Sequence, residues 1–120
     1  MKREIKFRRW HKQLQDMRYS ESLSDFFYMV EIYKDQYDIM QFTGLQDSNE
    51  VDIYEGDIIK TIGYIGVVKY EPQAAQYHIN WKTNDASRYM PFNVTFSDGE
   101  IYQCNYMEVI GNIYETPELI

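Results

Sequence analysis

Four carboxylates fall close together in the middle of the chain: Asp47, then Asp52, Glu55 and Asp57 around a glycine. Brought to one point, such groups can hold a divalent cation or share a proton. The run from Asp47 to Asp57 is not a calcium loop, because the central glycine such a loop requires is absent. Acidic side chains are also what a solvated turn prefers, and Asp57 beside Gly56 reads first as a turn residue. Softer ligands are sparser. His11, His78 and Cys104 are spread over the chain with no short ligand pair, whereas structural zinc sites show at least one. Cys104 has no orienting partner that would make it a nucleophile. Gly63 and Gly66 do not make a phosphate loop ahead of a helix, and there is no serine elbow. The expectation is therefore no catalytic residue, no metal and no cofactor.

The other chemistry-bearing group is basic. Residues 1–19 carry seven Lys or Arg against two acids, a charge of +5, while the rest carries five against seventeen, −12, for the total of −7. Arg3, Lys6, Arg8, Arg9, Lys12 and Arg18, with Trp10 among them, form the candidate interaction surface. They could track phosphates while Trp10, Tyr64, Tyr70 or Tyr77 stack on bases. The acidic remainder repels phosphate, so nucleic acid is allowed as a partner but not favoured. The charge split also suits a head-to-tail contact between subunits, or a basic end folded onto the chain's own acidic sheet.

The elements that must position these groups are mostly strands. Ile5 and Phe7 alternate with Lys6 and Arg8, and Leu14 to Tyr19 offers a partner strand, so residues 1–38 open with a basic hairpin. Asp25 to Tyr37 supports either a helix capped by Ser24 or a strand; its aromatic and β-branched residues favour a strand with a helical turn ahead of it. Tyr37 to Phe42 reads as a strand ended by Thr43-Gly44, and residues 47–50 as a polar turn. Gly44, Gly56, Asp57 and Gly111 are the expected structural turns. From Ile58 the chain reads as a meander: Ile58–Ile62, a link at Gly63-Tyr64, Ile65–Tyr70, then Gln76–Trp81, which sets Tyr77, Ile79 and Trp81 against Gln76, His78 and Asn80. Pro91 argues against a central strand at its position. Asn93–Phe96 and Ile101–Cys104 are paired across a hairpin signal at Ser97-Asp98-Gly99-Glu100. Met107 to Tyr114 forms a late strand interrupted by Gly111, and the apolar ends of the tail, Leu119 and Ile120, dock.

A chain of 120 residues holds one ordinary core, and 44% apolar content with twelve Tyr excludes disorder. Short strands at this spacing predict a mainly β fold, a small curled sheet or SH3-like barrel with an additional N-terminal hairpin and room for one short helix. Residues 1–120 read as one domain, with 39–120 as the meander or barrel core. No apolar run approaches the roughly 20 residues of a membrane-spanning helix, and one cysteine suits a reducing compartment.

Three blocks read together carry a resemblance: REIKFRRW at Arg3–Trp10, MQFTGLQDSNEVDIYEGDII at Met40–Ile59, and EVIGNIYETPEL at Glu108–Leu119. In this order the chain closely resembles the YopX family of small phage and prophage proteins. The resemblance implies a mostly β fold and no assigned catalytic residues. It departs at Arg9-Trp10-His11, where a small residue before Trp10 and an acid after it are typical. It departs also at Asn49-Glu50-Val51, where Asn-Gly is typical and a tight turn is correspondingly weakened. The expected function is a non-enzymatic phage or prophage accessory protein in the cytoplasm of a bacterial host cell. It self-associates as a homo-oligomer and binds another phage or host protein, with no membrane involved. A small nucleic-acid-binding module using the basic hairpin is the alternative.

Overall fold

The computed structural model describes residues 4–61, 64–73, 75–82, 88–91 and 107–120. The chain opens with the expected hairpin: β1 (Phe7–His11) and β2 (Asp16–Tyr19) pair antiparallel, with Trp10 opposite Met17. The connecting turn is closed by a bond from the Gln15 N–H to the His11 carbonyl at 2.8 Å, and Gln15 adopts a positive φ of 53°.

The next segment corrects the strand reading of Asp25 to Tyr37. It forms a helix, α1 (Leu23–Ile32), followed by a 3-10 turn over Lys34–Gln36. Ser22, not Ser24, is the N-cap, its side chain accepting from the Asp25 N–H. Aromatic content pointed to a strand, but the cap and a single well-placed knob decide the matter. Phe26 is buried, stacked on Phe7 at 6.1 Å, and that contact fixes the helix on β1.

Strand β3 (Tyr37–Gln46) pairs with β1 on one side and with β4 (Asp52–Tyr54) on the other, giving a sheet of order β2-β1-β3-β4. It runs past Thr43-Gly44, where it was expected to end. Gly44, at φ 92°, sits where the β3–β4 register shifts, and the Thr43 hydroxyl spans the irregularity by donating to the Ile53 carbonyl at 2.7 Å. A bulge therefore replaces the turn.

A second sheet has the order β8-β7-β6-β5-β9, from β5 (Asp57–Thr61), β6 (Tyr64–Glu71), β7 (Gln76–Lys82), β8 (Arg88–Pro91) and β9 (Glu108–Asn112). The meander is antiparallel throughout, as its turn signals predict. Pro91 closes β8, an outer strand of the described sheet, where a missing N–H is tolerated. Gly63, the pair Asn93–Phe96 and Ile101–Cys104, and their hairpin lie outside the described residues. Gly111 does not end β9; it lies at a register shift against β5. A side chain there would put its first carbon 2.0 Å from the Thr116 hydroxyl, which itself bonds to both the N–H and the carbonyl of Asn112.

Ile53 from the first sheet packs with Ile59, Val68, Ile79 and Met107 from the region of the second, so the two sheets share one core. The result is mainly β with one short helix, a curled and partly open half-barrel. Among the described residues no strand pairing closes it into a barrel of the SH3-like kind.

The turn after β3 forms despite the glutamate at the position where glycine is typical. Asp47 is buried, and its Oδ1 accepts from the N–H groups of Asn49 (2.8 Å) and Val51 (2.9 Å). Glu50 is carried into the left-handed region at φ 63°. A residue with a Cβ costs about 1–2 kcal/mol there. Glu50→Gly is expected to raise stability by about 0.5–1 kcal/mol, net of the greater freedom of glycine when unfolded. Thermal and urea unfolding of the two proteins checks this; an unchanged or lower midpoint would contradict it.

Candidate functional site

The two sheets meet at the turn between β4 and β5. Gly56 takes φ 86°, its N–H bonds to the Val68 carbonyl at 2.9 Å and its carbonyl accepts from the Ile113 N–H at 3.0 Å. A side chain here would press on the Met40 sulfur at 3.3 Å, so both conformation and space call for glycine. This turn delivers Asp57 to the seam, where β1 places Arg8. Arg8 Nη2 lies 2.8 Å from Asp57 Oδ1, with both side chains 3% exposed. The same nitrogen donates to the Glu55 carbonyl at 3.0 Å, Arg8 Nε faces Met40 Sδ, and the guanidinium lies 4.8 Å from the Tyr54 ring centre. Asp57 Oδ2 accepts from the Tyr54 N–H at 2.8 Å.

A cleft of 220 Å³ opens over this pair, lined also by Tyr19, Asp52, Tyr54 and Asn112. Its charged groups already answer one another. Lys6 Nζ bonds to Asp52 Oδ2 at 2.6 Å, and Gln46 donates to the other Asp52 oxygen at 3.0 Å. The Asp52 hydrogen bond holds the Lys6 ammonium above its ordinary pKa. Partial burial works against ionisation of Asp52, but the bonds from Lys6 and Gln46 overcome it and hold that carboxyl below the ordinary range.

The four clustered carboxylates are thus engaged separately. Asp47 ties its own turn and accepts from the Val109 N–H at 2.9 Å, Asp52 meets Lys6, Glu55 accepts from the Gln41 N–H at 2.9 Å, and Asp57 meets Arg8. Among the described residues no three His, Cys, Asp or Glu side chains gather as metal ligands would. His11 Nδ1 accepts from the Leu14 N–H at 2.9 Å, which leaves Nε2 to carry the proton toward Gln36 Oε1 at 3.0 Å. His78 is buried on β7, and burial pushes its pKa down. Cys104 lies outside the described residues.

The basic candidates do not make one open surface. Arg3 lies outside the described residues, Lys6 and Arg8 are paired internally, and Arg8 is withdrawn from solvent altogether. The Arg9 guanidinium sits against Phe26 and Tyr37, at 5.1 and 5.3 Å from their ring centres. Trp10 is buried and stacked on Tyr114 at 5.5 Å. Lys12 and Arg18 remain exposed, near Asp38 at 3.6 Å and Asp16 at 2.6 Å. Of the aromatic residues considered for stacking, Tyr70 is exposed but packs edge-on against Tyr77, whose hydroxyl donates to Gln41. The basic end folded onto the acidic sheet is the arrangement found.

Sequence reasoning missed the outer face of α1. Tyr28 and Ile32, one helical turn apart, are both exposed there, which only the helical spacing reveals and a strand reading hides.

Residues 25–120 match the family described as YopX protein. The chain belongs to the YopX family. The YopX fold seen here is similar to the crystal structure of protein EF1440 from Enterococcus faecalis. That likeness has a TM-score of 0.54 at 21% identity and covers 98% of this chain and 99% of that one. It shows the fold alone. No curated protein matches this YopX chain.

Burial pushes the Asp57 carboxyl above the ordinary aspartate range, and the attraction of Arg8 opposes this without cancelling it. Removing Arg8 removes that opposition. Arg8→Met is expected to lose about 3–5 kcal/mol at neutral pH, since it strands a buried charge. In that variant the folded chain takes up a proton more readily than the unfolded chain. Stability is therefore regained on acidification through the raised pKa, toward the ordinary aspartate value, and lost as pH rises. Urea unfolding of Arg8→Met across pH reads this out; a pH-independent deficit would contradict it.

Proposed function

We propose that this YopX protein is a non-enzymatic phage or prophage accessory protein that acts by protein contact, self-associating and then binding a further phage or host protein. The observation that carries the reading is the outer face of α1. The helix commits Phe26 to the core, packs Phe27 edge-on against Phe7, and leaves Tyr28 and Ile32, one turn apart, at 65% and 51% exposure. A surface helix ordinarily turns polar residues outward, and a grouped apolar face marks a contact site. The engagement of all four central carboxylates in the fold supports a binding role over a catalytic one. The pairing of Lys6 and Arg8 with carboxylates supports protein over nucleic acid as the partner.

Tyr28→Gln with Ile32→Gln removes apolar area while keeping residues of good helix propensity. Each side chain, if fully buried at a contact, contributes about 1.5–3 kcal/mol. The double variant is expected to weaken self-association roughly a hundredfold while far-UV circular dichroism stays unchanged. Light scattering across a concentration series measures it. A wild-type chain that keeps the protomer mass throughout would overturn self-association.

A further inference from the structure

The apolar face of α1 has an acidic rim, and this constrains what covers it. Glu21, Asp25, Glu31 and Asp35 are all exposed along the helix and its ends, against one cation, Lys34. Two copies laid helix against helix would bring these carboxylates together, and like charges at a contact oppose it. The complementary surface is at the far end of the β1–β2 hairpin. Its turn, Lys12 to Gln15, is exposed throughout, and Leu14 stands 72% exposed at the tip. Lys12 and Arg18 flank it. Their carboxylate neighbours, Asp38 and Asp16, are themselves 41% and 44% exposed, and solvated pairs of this kind are worth so little that a new acidic partner can compete. The ten residues of α1 span about 15 Å, enough to seat a four-residue turn.

We propose that the β1–β2 turn of one copy docks on the outer face of α1 in the next, with Leu14 seated against Tyr28 and Ile32 and with Lys12 and Arg18 against the acidic rim. The proposal rests on self-association and names the surfaces that carry it. Because the two surfaces differ, the contact is head-to-tail, and an open assembly keeps one free hairpin at one end and one free helix face at the other until a ring closes.

Reciprocal charge reversal tests it. One variant carries Lys12→Glu and Arg18→Glu, the other Glu21→Lys and Glu31→Lys; none of the four side chains lies in the core. Alone, each is expected to self-associate about tenfold or more weakly than wild type by light scattering, because its hairpin and helix then carry the same sign. Mixed in equal amounts they are expected to recover wild-type association, since each hairpin again meets a helix of opposite charge. Leu14→Gln, which leaves charge untouched, is expected to weaken association as well. Reversed variants that associate like wild type, or a mixture no better than its components, would overturn the hairpin docking while leaving self-association standing. A wild-type chain that never exceeds the protomer mass would overturn both.

Discussion

The fold depends on one interaction that is unfavourable to build and harder to lose. Arg8 and Asp57 sit within 2.8 Å of each other at the seam of two sheets, nearly without solvent. Withdrawing two charges from water costs several kcal/mol per ion, and the attraction between them does not fully return it. Their value lies in what they exclude. If β1 slipped by one residue against β3 so that Phe7 stood in place of Arg8, a buried carboxylate would face no cation. The pair therefore opposes that slip and ties β1 to the point where the chain crosses to the second sheet.

Around that pair the middle of the chain is consumed by structure. Gly56 turns the backbone where no side chain fits, Tyr54 donates to Asp57, and Glu55 reaches back to the Gln41 N–H. Asp47 does the same for the preceding turn and reaches across to Val109 on β9. Carboxylates that satisfy backbone donors and a buried cation have little capacity left for a substrate. What the molecule presents outward is different in kind: a helix face with Tyr28 and Ile32 exposed, and a charged turn with Leu14 at its tip. The proposed function by contact draws on the groups the fold leaves unused.

Much of this was legible in the residues. The meander from Ile58 could be read because turn punctuation and alternation agree along it. The charge split allowed either a contact between subunits or a basic end folded on the chain's own acidic residues, and Lys6 with Asp52 and Arg8 with Asp57 are contacts of the second kind. Three features could not be read. Leu23–Ile32 is aromatic enough to pass for a strand, and its helical state is settled by Ser22 and by Phe26 packing on Phe7, a partner distant in sequence. Gly44 punctuates a strand without ending it, because β4 pairs on both sides of the bulge. The curvature of the sheets depends on how Ile53, Ile59, Val68 and Ile79 fill the shared core, which no local pattern encodes. The helix error concealed the candidate surface, since the exposure of Tyr28 and Ile32 on one face has meaning only at helical spacing.

The central claim is that the buried pair makes the two sheets one cooperative unit. Native-state hydrogen exchange addresses it directly, by comparing amides of β3 and β4 with those of β5 and β6 as denaturant is raised. The claim predicts that Tyr54, whose N–H is held by Asp57, and Gly56, whose N–H is held by Val68, open with the same free energy and denaturant dependence as the β5–β6 ladder. Exchange of β3 and β4 through a separate opening of lower energy, with β5 and β6 still protected, would contradict it.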